Sequence, residues 1–556
     1  MTVSAGSNAI LPYYRRITRL FVAPGWLLTS VLLGIVFSIP LLLVLLRMFL
    51  PGTSAWQHIV NNLLFQYTAN SILLCAFTGS IALVLGVGTA WFISRYDFPA
   101  KKWLSWALIL PLALPSYIVA YSYAGILSFT GPIYGTLRNL GGPELAQALY
   151  FDTMNIGSLS ITLGLVLFPY VYLPAKAAFE LQSASIFEAA SSLCNKPFRI
   201  FYKIALPLAR PAIAGGLFLV MMEVLNDYGA VKYFGINTFT TGIFKAWFSL
   251  GDLEAAIKLS AVLMLVVGLL FFVEKRIQRS RFASNTGLKK SASLKVNGPR
   301  KWLFTVACLV PFAFGFLIPF LKIVNDSWIS WPRMEGTRFG EIVWHSVSLA
   351  LVAATLIVVL SLVFIYSSRI NRTLAGTLVK RVVSLGYAIP GAVIAVGVMV
   401  AAAGAEHFLE SLAHAFGSVN TQILFTGTIA ALVYAYLIRF MAVSVNPLEG
   451  NFEQQCSNLD EASRSLGKGH LYTLLRVNIP VLKPAILAAF LLVFVDVMKE
   501  LPLTLILRPF NYDTLATTAF EYANDEMLRE SAPASLLIVV SGIVPILLIH
   551  HLIKSK

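Results

Sequence analysis

Charge is scarce in this chain of 556 residues. Asp, Glu, Lys and Arg together make up only 12%, against roughly 25% in an ordinary soluble domain. Apolar residues reach 58% and mean hydropathy is +0.77, which excludes a soluble globular protein. Cysteine is nearly absent as well. Cys75, Cys194, Cys308 and Cys456 lie in or beside apolar segments with no CxxC spacing, which argues against a disulfide framework or a thiolate metal site. Acidic residues number 26 against 42 basic ones, a net charge of +16. The basic residues are scattered among short loops between apolar runs, a pattern that orients a membrane protein rather than one that binds nucleic acid. No G-x-x-x-x-G-K-[ST] phosphate loop occurs. Leu466-Gly467-Lys468-Gly469 has neither the upstream glycine nor the following Ser or Thr, so the chain itself is not expected to hydrolyse ATP or to be an enzyme. His345, His407 and His414 are not at ligand spacing on one helix, and His550 with His551 sits at the C-terminal membrane edge. No metal site is expected from them.

What the chain does contain is long apolar runs. Residues 1–20 form a basic leader with Arg15, Arg16 and Arg19, and the apolar run that follows, 26–49, is too long for a signal-peptide core. Further runs at 68–94, 103–129, 155–179, 211–230, 255–273, 302–323, 345–367, 382–404, 422–444, 484–503 and 535–552 bring the expectation to about twelve transmembrane helices. The fold class is all-α, a polytopic membrane protein in two homologous six-helix halves. The halves are 21–273, with a polar loop at 185–210, and 302–556, with a polar loop at 458–483. Residues 274–301, rich in Lys, Arg and Ser, read as a cytoplasmic linker. Pro111, Pro115, Pro169 and Pro174 fall inside the third and fourth spans and should kink them. With both termini in the cytoplasm, most Lys and Arg residues fall on the inner side. Arg47, Lys176, Lys258 and Arg439 lie near span ends and read as snorkelling side chains.

The two polar loops are copies of one another. Glu188–Pro211 and Glu461–Pro484 superpose without a gap at an offset of 273 residues, matching at Glu188/Glu461, Ala189/Ala462, Leu193/Leu466, Pro207/Pro480 and Pro211/Pro484. In the first copy Ser185 and Glu188 stand at capping-box spacing. In the second, Gly467 can take the positive φ that ends a helix. Each copy reads as a small helix-turn-helix on the cytoplasmic face, its second segment stopping at Pro207 or Pro480.

The helices after each loop carry acids at matching positions. Glu223 and Asp227, with Tyr228 beside them, correspond to Asp496 and Glu500 at the same offset, each pair four residues apart on one helical face. Ionisable residues inside a membrane are costly and usually face a cavity or a partner. Carboxylate and phenolate oxygens suit a hard cation, so these five residues are candidates for a substrate pathway with transient ion contact at Glu223, Asp227, Asp496 and Glu500. The bland alternative is that Lys232, Lys499 and water neutralise the acids as structural pairs.

The loops also resemble the EAA signature of permease subunits of binding-protein-dependent ABC importers. Glu188, Ala189, Ala190, Ile204, Leu206 and Pro207 match the pattern in the first copy, with Cys194 in the place of its glycine. Glu461, Ala462, Gly467 and Pro480 match in the second, with Ser463 replacing an alanine. The resemblance implies that each loop forms a coupling helix on a separate cytoplasmic ATPase. Two ATPase copies would then use ATP and magnesium, a periplasmic binding protein would dock outside, and the chain would sit among the lipids of a bacterial inner membrane with no bound cofactor of its own. Asp496 to Thr504, Leu507-Arg508-Pro509-Phe510 and Asp513 to Thr517, with Asp227 to Val231 and Tyr233-Phe234-Gly235, resemble the ferric-ion permease subfamily. Thiamine and aminoethylphosphonate permeases share the fused plan and are alternatives. An ion-gradient-driven carrier is a weaker one, because it has no need of twin docking loops. Glu144, Asp152, Glu521, Asp525 and Glu526 lie in outer loops long enough to receive a binding protein.

Overall fold

The computed structural model describes residues 24–554 apart from 183–185, 188–191, 193–196, 279–293, 297, 335–337, 371–378, 381, 384–385 and 416–424. Its helices include α1 (Pro24–Arg47), α2 (Leu64–Arg95), α3 (Ser116–Leu127), α4 (Ile156–Leu167), α5 (Pro169–Glu180), α6 (Leu206–Asn226), α7 (Leu253–Gln278) and α8 (Arg300–Phe312). They continue with α9 (Ile318–Ser330), α10 (Phe339–Ile370), α11 (Gly391–Ala415), α12 (Ile429–Gln455), α13 (Ser457–Ser465), α14 (Ile479–Met498) and α15 (Ala532–Lys554). The only strand pairing among the described residues is two residues long, Tyr96–Asp97 beside Leu294–Lys295. Helix dominates because, in hydrocarbon, a backbone must satisfy its own polar groups within the segment.

Among the described residues nine helices are long and apolar enough to cross a membrane uninterrupted. Counting each bent helix pair as one span adds two more, with bends of 92° between Lys101–Ala113 and Ser116–Ala148 and of 43° between α4 and α5. Both bends fall on prolines: Pro115 immediately precedes α3, and Pro169 opens α5. Pro174, by contrast, sits inside α5 without breaking it. A shorter apolar helix, Ala532–Pro545, holds the last expected position.

The segment after each polar loop departs from expectation. Neither stops at its proline: Pro197–Asn226 and His470–Met498 each form one continuous span. Proline removes an N–H and crowds the carbonyl four residues earlier, and here a widened turn takes up the misfit. Phe201–Ala205 and Leu474–Asn478 are π-helical, with Leu206 N–H bonded to Phe201 O and Ile479 N–H to Leu474 O. The two π turns sit at identical positions in the repeat, directly ahead of Pro207 and Pro480.

The chain forms two compact units, and they are not the contiguous halves. One comprises Met1–Phe49, Trp344–Tyr512 and Leu547–Lys556, the other Leu50–Val343 and Asp513–Ile546. Each unit is built mainly on one repeat and takes the first long helix of the other, and the unit built on the first repeat also takes Asp513–Ile546 from the second. In the unit built on the second repeat, α1 packs on α11. Trp26 there meets Tyr366 edge-on at 5.3 Å, and the Ser30 hydroxyl donates to Ser367 Oγ at 2.6 Å. In the unit built on the first repeat, α8 and α9 pack beside α2 and α3. Trp103 meets Phe312 at 5.1 Å, and the Tyr123 hydroxyl donates to Phe314 O. A division at 273 and 302 follows the repeat but misses this exchange. A first helix that is apolar all round carries no sequence mark of its partner, and side-chain fit decides.

Candidate functional site

In each unit the helix after the polar loop is followed by an acid whose carboxylate accepts the backbone N–H three residues on. In the unit built on the first repeat, α6 ends at Asn226 and Asp227 leaves the helical conformation at φ −66°, ψ 122°. One carboxylate oxygen of Asp227 accepts from Ala230 N–H at 2.9 Å and the other from the Ser116 hydroxyl. The Asp227 carbonyl accepts from Thr240 Oγ1 at 2.9 Å. Ser116 is the first residue of α3, placed there by Pro115. Asp227 is buried, and a buried carboxylate is tolerated only with such partners.

In the unit built on the second repeat, Glu500 does the equivalent work. Its Oε1 accepts from Leu503 N–H at 3.1 Å, and its carbonyl accepts from Thr504 Oγ1 at 2.8 Å. Ala230 and Leu503 are themselves 273 residues apart, so the capping N–H repeats, while the threonines on the two carbonyls stand at different places in the repeat. The acid's remaining partner differs as well. Glu500 Oε2 stands 3.2 Å from Arg439 Nε, both side chains being 5% exposed, and Arg439 Nη1 donates to Ile389 O at 3.0 Å. Gly391 follows Pro390 as Ser116 follows Pro115, and a Cβ there would lie 2.6 Å from Glu500 Oε1. The longer acid and its arginine occupy the room that a side chain at 391 would need.

Arg439 therefore does not snorkel, and neither does Lys258. Both are buried, and the Lys258 ammonium donates to Leu50 O. Proximity to a span end in sequence did not decide their direction; a buried acceptor did. Lys176 is half-buried and donates to Ser105 Oγ at 2.6 Å. A further intramembrane pair had no sequence signal beyond its i, i+4 spacing: Lys322 is bonded to Asp326, and both line a small cavity with Tyr121, Ser122, Ser531 and Ser535.

The other predicted acids are less enclosed. Glu223 is half-buried and accepts from the Tyr170 hydroxyl at 3.3 Å. Asp496, also half-buried, pairs with Lys499 at 2.8 Å. Tyr228 is packed as an aromatic, its ring stacked on Phe244 at 3.7 Å. Among the described residues no three of His, Cys, Asp or Glu converge as metal ligands.

Of the polar loops, Glu188, Ala189, Ala190 and Cys194 lie outside the described residues. The second copy is described. Glu461 and Ala462 are exposed on α13 and Ser463 is buried, bonded to Thr473 Oγ1 at 2.8 Å. Gly467 ends α13 with φ +74°. Gly467 N–H bonds Arg464 O at 3.0 Å and Lys468 N–H bonds Ser463 O at 3.2 Å, the paired bonds of a Schellman cap. Leu466, Leu471, Tyr472 and Leu475 are exposed around this turn. Pro480 opens α14 just above the π turn, as Pro207 opens α6. Cys456, directly before α13, is buried, which pushes its thiol above the ordinary range; Asp460 adds to that and Arg369 opposes it.

Helical spans in two repeats, each with a polar loop and an acid-capped helix end, define a membrane-embedded transport component of two homologous halves. The chain belongs to the family of binding-protein-dependent transport system inner membrane components, whose profile matches twice, at residues 82–283 and 365–555. It is 25% identical over 534 residues to the Fe(3+)-transport system permease protein FbpB 2 of Haemophilus influenzae, covering 95% of this chain and 98% of that one. It is 23% identical over 546 residues to the ferric transport system permease protein FbpB of Actinobacillus pleuropneumoniae, covering 93% and 76%. A putative 2-aminoethylphosphonate transport system permease protein, PhnU of Salmonella choleraesuis, is 26% identical over 235 residues, 41% of this chain and 81% of that one.

Proposed function

We propose that this chain is the permease of an ATP-driven importer that carries ferric iron, delivered by a periplasmic binding protein, into the cytoplasm. One observation carries the reading: the similarity to a ferric permease runs through 95% of this chain and 98% of that protein. Two copies of a cytoplasmic ATPase, which use ATP and magnesium, dock on the loops containing Glu188, Ala189, Ala190 and Cys194 and Glu461, Ala462, Ser463 and Gly467. Both loops and both termini face the cytoplasm. The exposed Leu466, Leu471 and Tyr472 beside Glu461 support docking there, since apolar side chains at a polar membrane surface gain by being covered. Outside, the exposed Glu144, Asp152, Asp525 and Glu526 are available to the binding protein.

Within the membrane, Glu223 and Asp496 are the better candidates for passing contact with the ion. Asp227 and Glu500 have their carboxylate oxygens engaged in caps, and Tyr228 contributes its ring. A hard cation in passing contact with a half-buried carboxylate is held weakly enough to leave. Uptake of radiolabelled iron(III), measured beside thiamine in a deletion strain complemented with this gene, tests the proposal. Iron uptake restored without thiamine uptake is expected. The Glu461→Lys variant should insert in the membrane and abolish uptake, and wild-type uptake in that variant would remove the docking role.

A further inference from the structure

In the unit built on the second repeat, the loop helix α13 is fastened by the residue just ahead of Glu461. The Asp460 carboxylate accepts from Arg369 Nη2 at 2.9 Å and from Asn478 Nδ2 at 2.9 Å. Arg369 stands in the last turn of α10 and also donates through Nη1 to Phe452 O of α12 at 3.1 Å, with its guanidinium 5.2 Å from the Phe452 ring. Asn478 is fully buried and closes the π turn beneath Pro480. One carboxylate thus ties α13 to α10 on one side and to the root of α14 on the other. Apolar contacts between helices can slide; two directional, charge-assisted bonds from one carboxylate fix an angle.

The unit built on the first repeat makes the same join with different chemistry. Phe187, 273 residues before Asp460, lies 4.3 Å from the guanidinium of Arg95, and Arg95 ends α2 much as Arg369 stands near the end of α10. Ala205, which corresponds to Asn478, closes the other π turn, and its carbonyl accepts from Gln182 Nε2 at 3.0 Å. A ring under an arginine and a single amide bond replace the bridging carboxylate.

We propose that Asp460 is a positioning residue, and that Arg369, Asp460 and Asn478 form the joint through which a push on α13 becomes a tilt of α14. This rests on the docking reading above. The helix α10 is the fixed side, α13 receives the force, and the π turn at Leu474–Asn478 is the compliant root that lets α14 move as one rod. The corresponding joint at Phe187 is softer, so the two halves respond unequally to equal pushes.

The test uses the whole assembly of chain, ATPase and binding protein in proteoliposomes, with iron(III) import and phosphate release measured together. Asp460→Asn and Arg369→Gln should each raise the ATP consumed per ion imported by about tenfold, the effect of losing a hydrogen-bonded charge, while the ATPase still co-purifies. Asp460→Glu should restore most of the coupling, which a role in folding alone would not predict. Phe187→Leu should raise the ratio by about threefold, in keeping with a cation–π contact. An unchanged ratio in Asp460→Asn would overturn the joint, and so would loss of the ATPase from that variant, which would place Asp460 in the docking surface. A wild-type assembly whose hydrolysis is not linked to import would instead remove the docking reading, and the joint with it.

Discussion

In one unit the carboxylate beyond the post-loop helix is Asp227, met by a hydroxyl from Ser116 and the Ala230 N–H; in the other it is Glu500, met by the Leu503 N–H and the guanidinium of Arg439. The capping N–H is at the same place in both and the second partner of the acid differs. The short acid is answered by neutral donors within its own unit, whereas the longer acid is paired with a buried arginine. Repeats descended from one pattern can keep a turn fixed while the charge stored there diverges. The turn demands an acceptor at that place, but only the local neighbours decide whether a counter-ion comes with it.

The largest effect is expected where a charge would be stranded. Arg439→Met leaves Glu500 buried without its cation and should cost about 3–5 kcal/mol, read as loss of the folded peak in detergent size exclusion or a large fall in melting temperature. Adding Glu500→Gln should recover most of that loss, and failure of the double variant to recover would mean that Arg439 supports the fold by its packing. In the other unit Ser116→Ala removes a neutral donor to a charged acceptor, for which about 1.5–3 kcal/mol is expected. Gly391→Ala should cost about 1–3 kcal/mol, because its methyl enters the space of the Glu500 carboxylate, while Gly391→Ala with Glu500→Asp should be milder. If the two serine and glycine variants were equally harmless, the contrast between the caps would lose its meaning. Glu223→Gln with Asp496→Asn should lower iron uptake several-fold while leaving melting temperature nearly unchanged, because neither acid closes a turn. Smallest of all, Gly467→Ala places a Cβ at φ +74° and should cost about 1 kcal/mol, visible as a few degrees in melting temperature.

Much of this was legible in the residues. The apolar runs gave the spans, the prolines gave both bends, and the repeat located Glu461 and Gly467 on an exposed helix with a left-handed stop. The offset that aligned the loops also aligned Asp227 with Glu500, and the structure keeps that equivalence to the level of the capping N–H. Less was legible in Pro207 and Pro480. Each reads as a helix end because proline lacks a donor, and only the neighbouring helices could show that a π turn absorbs the defect. Arg439 was misjudged for a similar reason: its charge suggested water, while its partner lay 61 positions along the chain.

Sequence by itself determined that this chain is helical, membrane-spanning and twofold repeated, since hydropathy and internal periodicity are properties of order along the chain. Tertiary structure alone decided which first helix joins which unit, which acids are caps and which stay partly open, and which charge Arg439 answers. Those outcomes depend on contacts between residues far apart in the chain, where fit, burial and the cost of an unpaired charge select among arrangements that the linear order leaves equal.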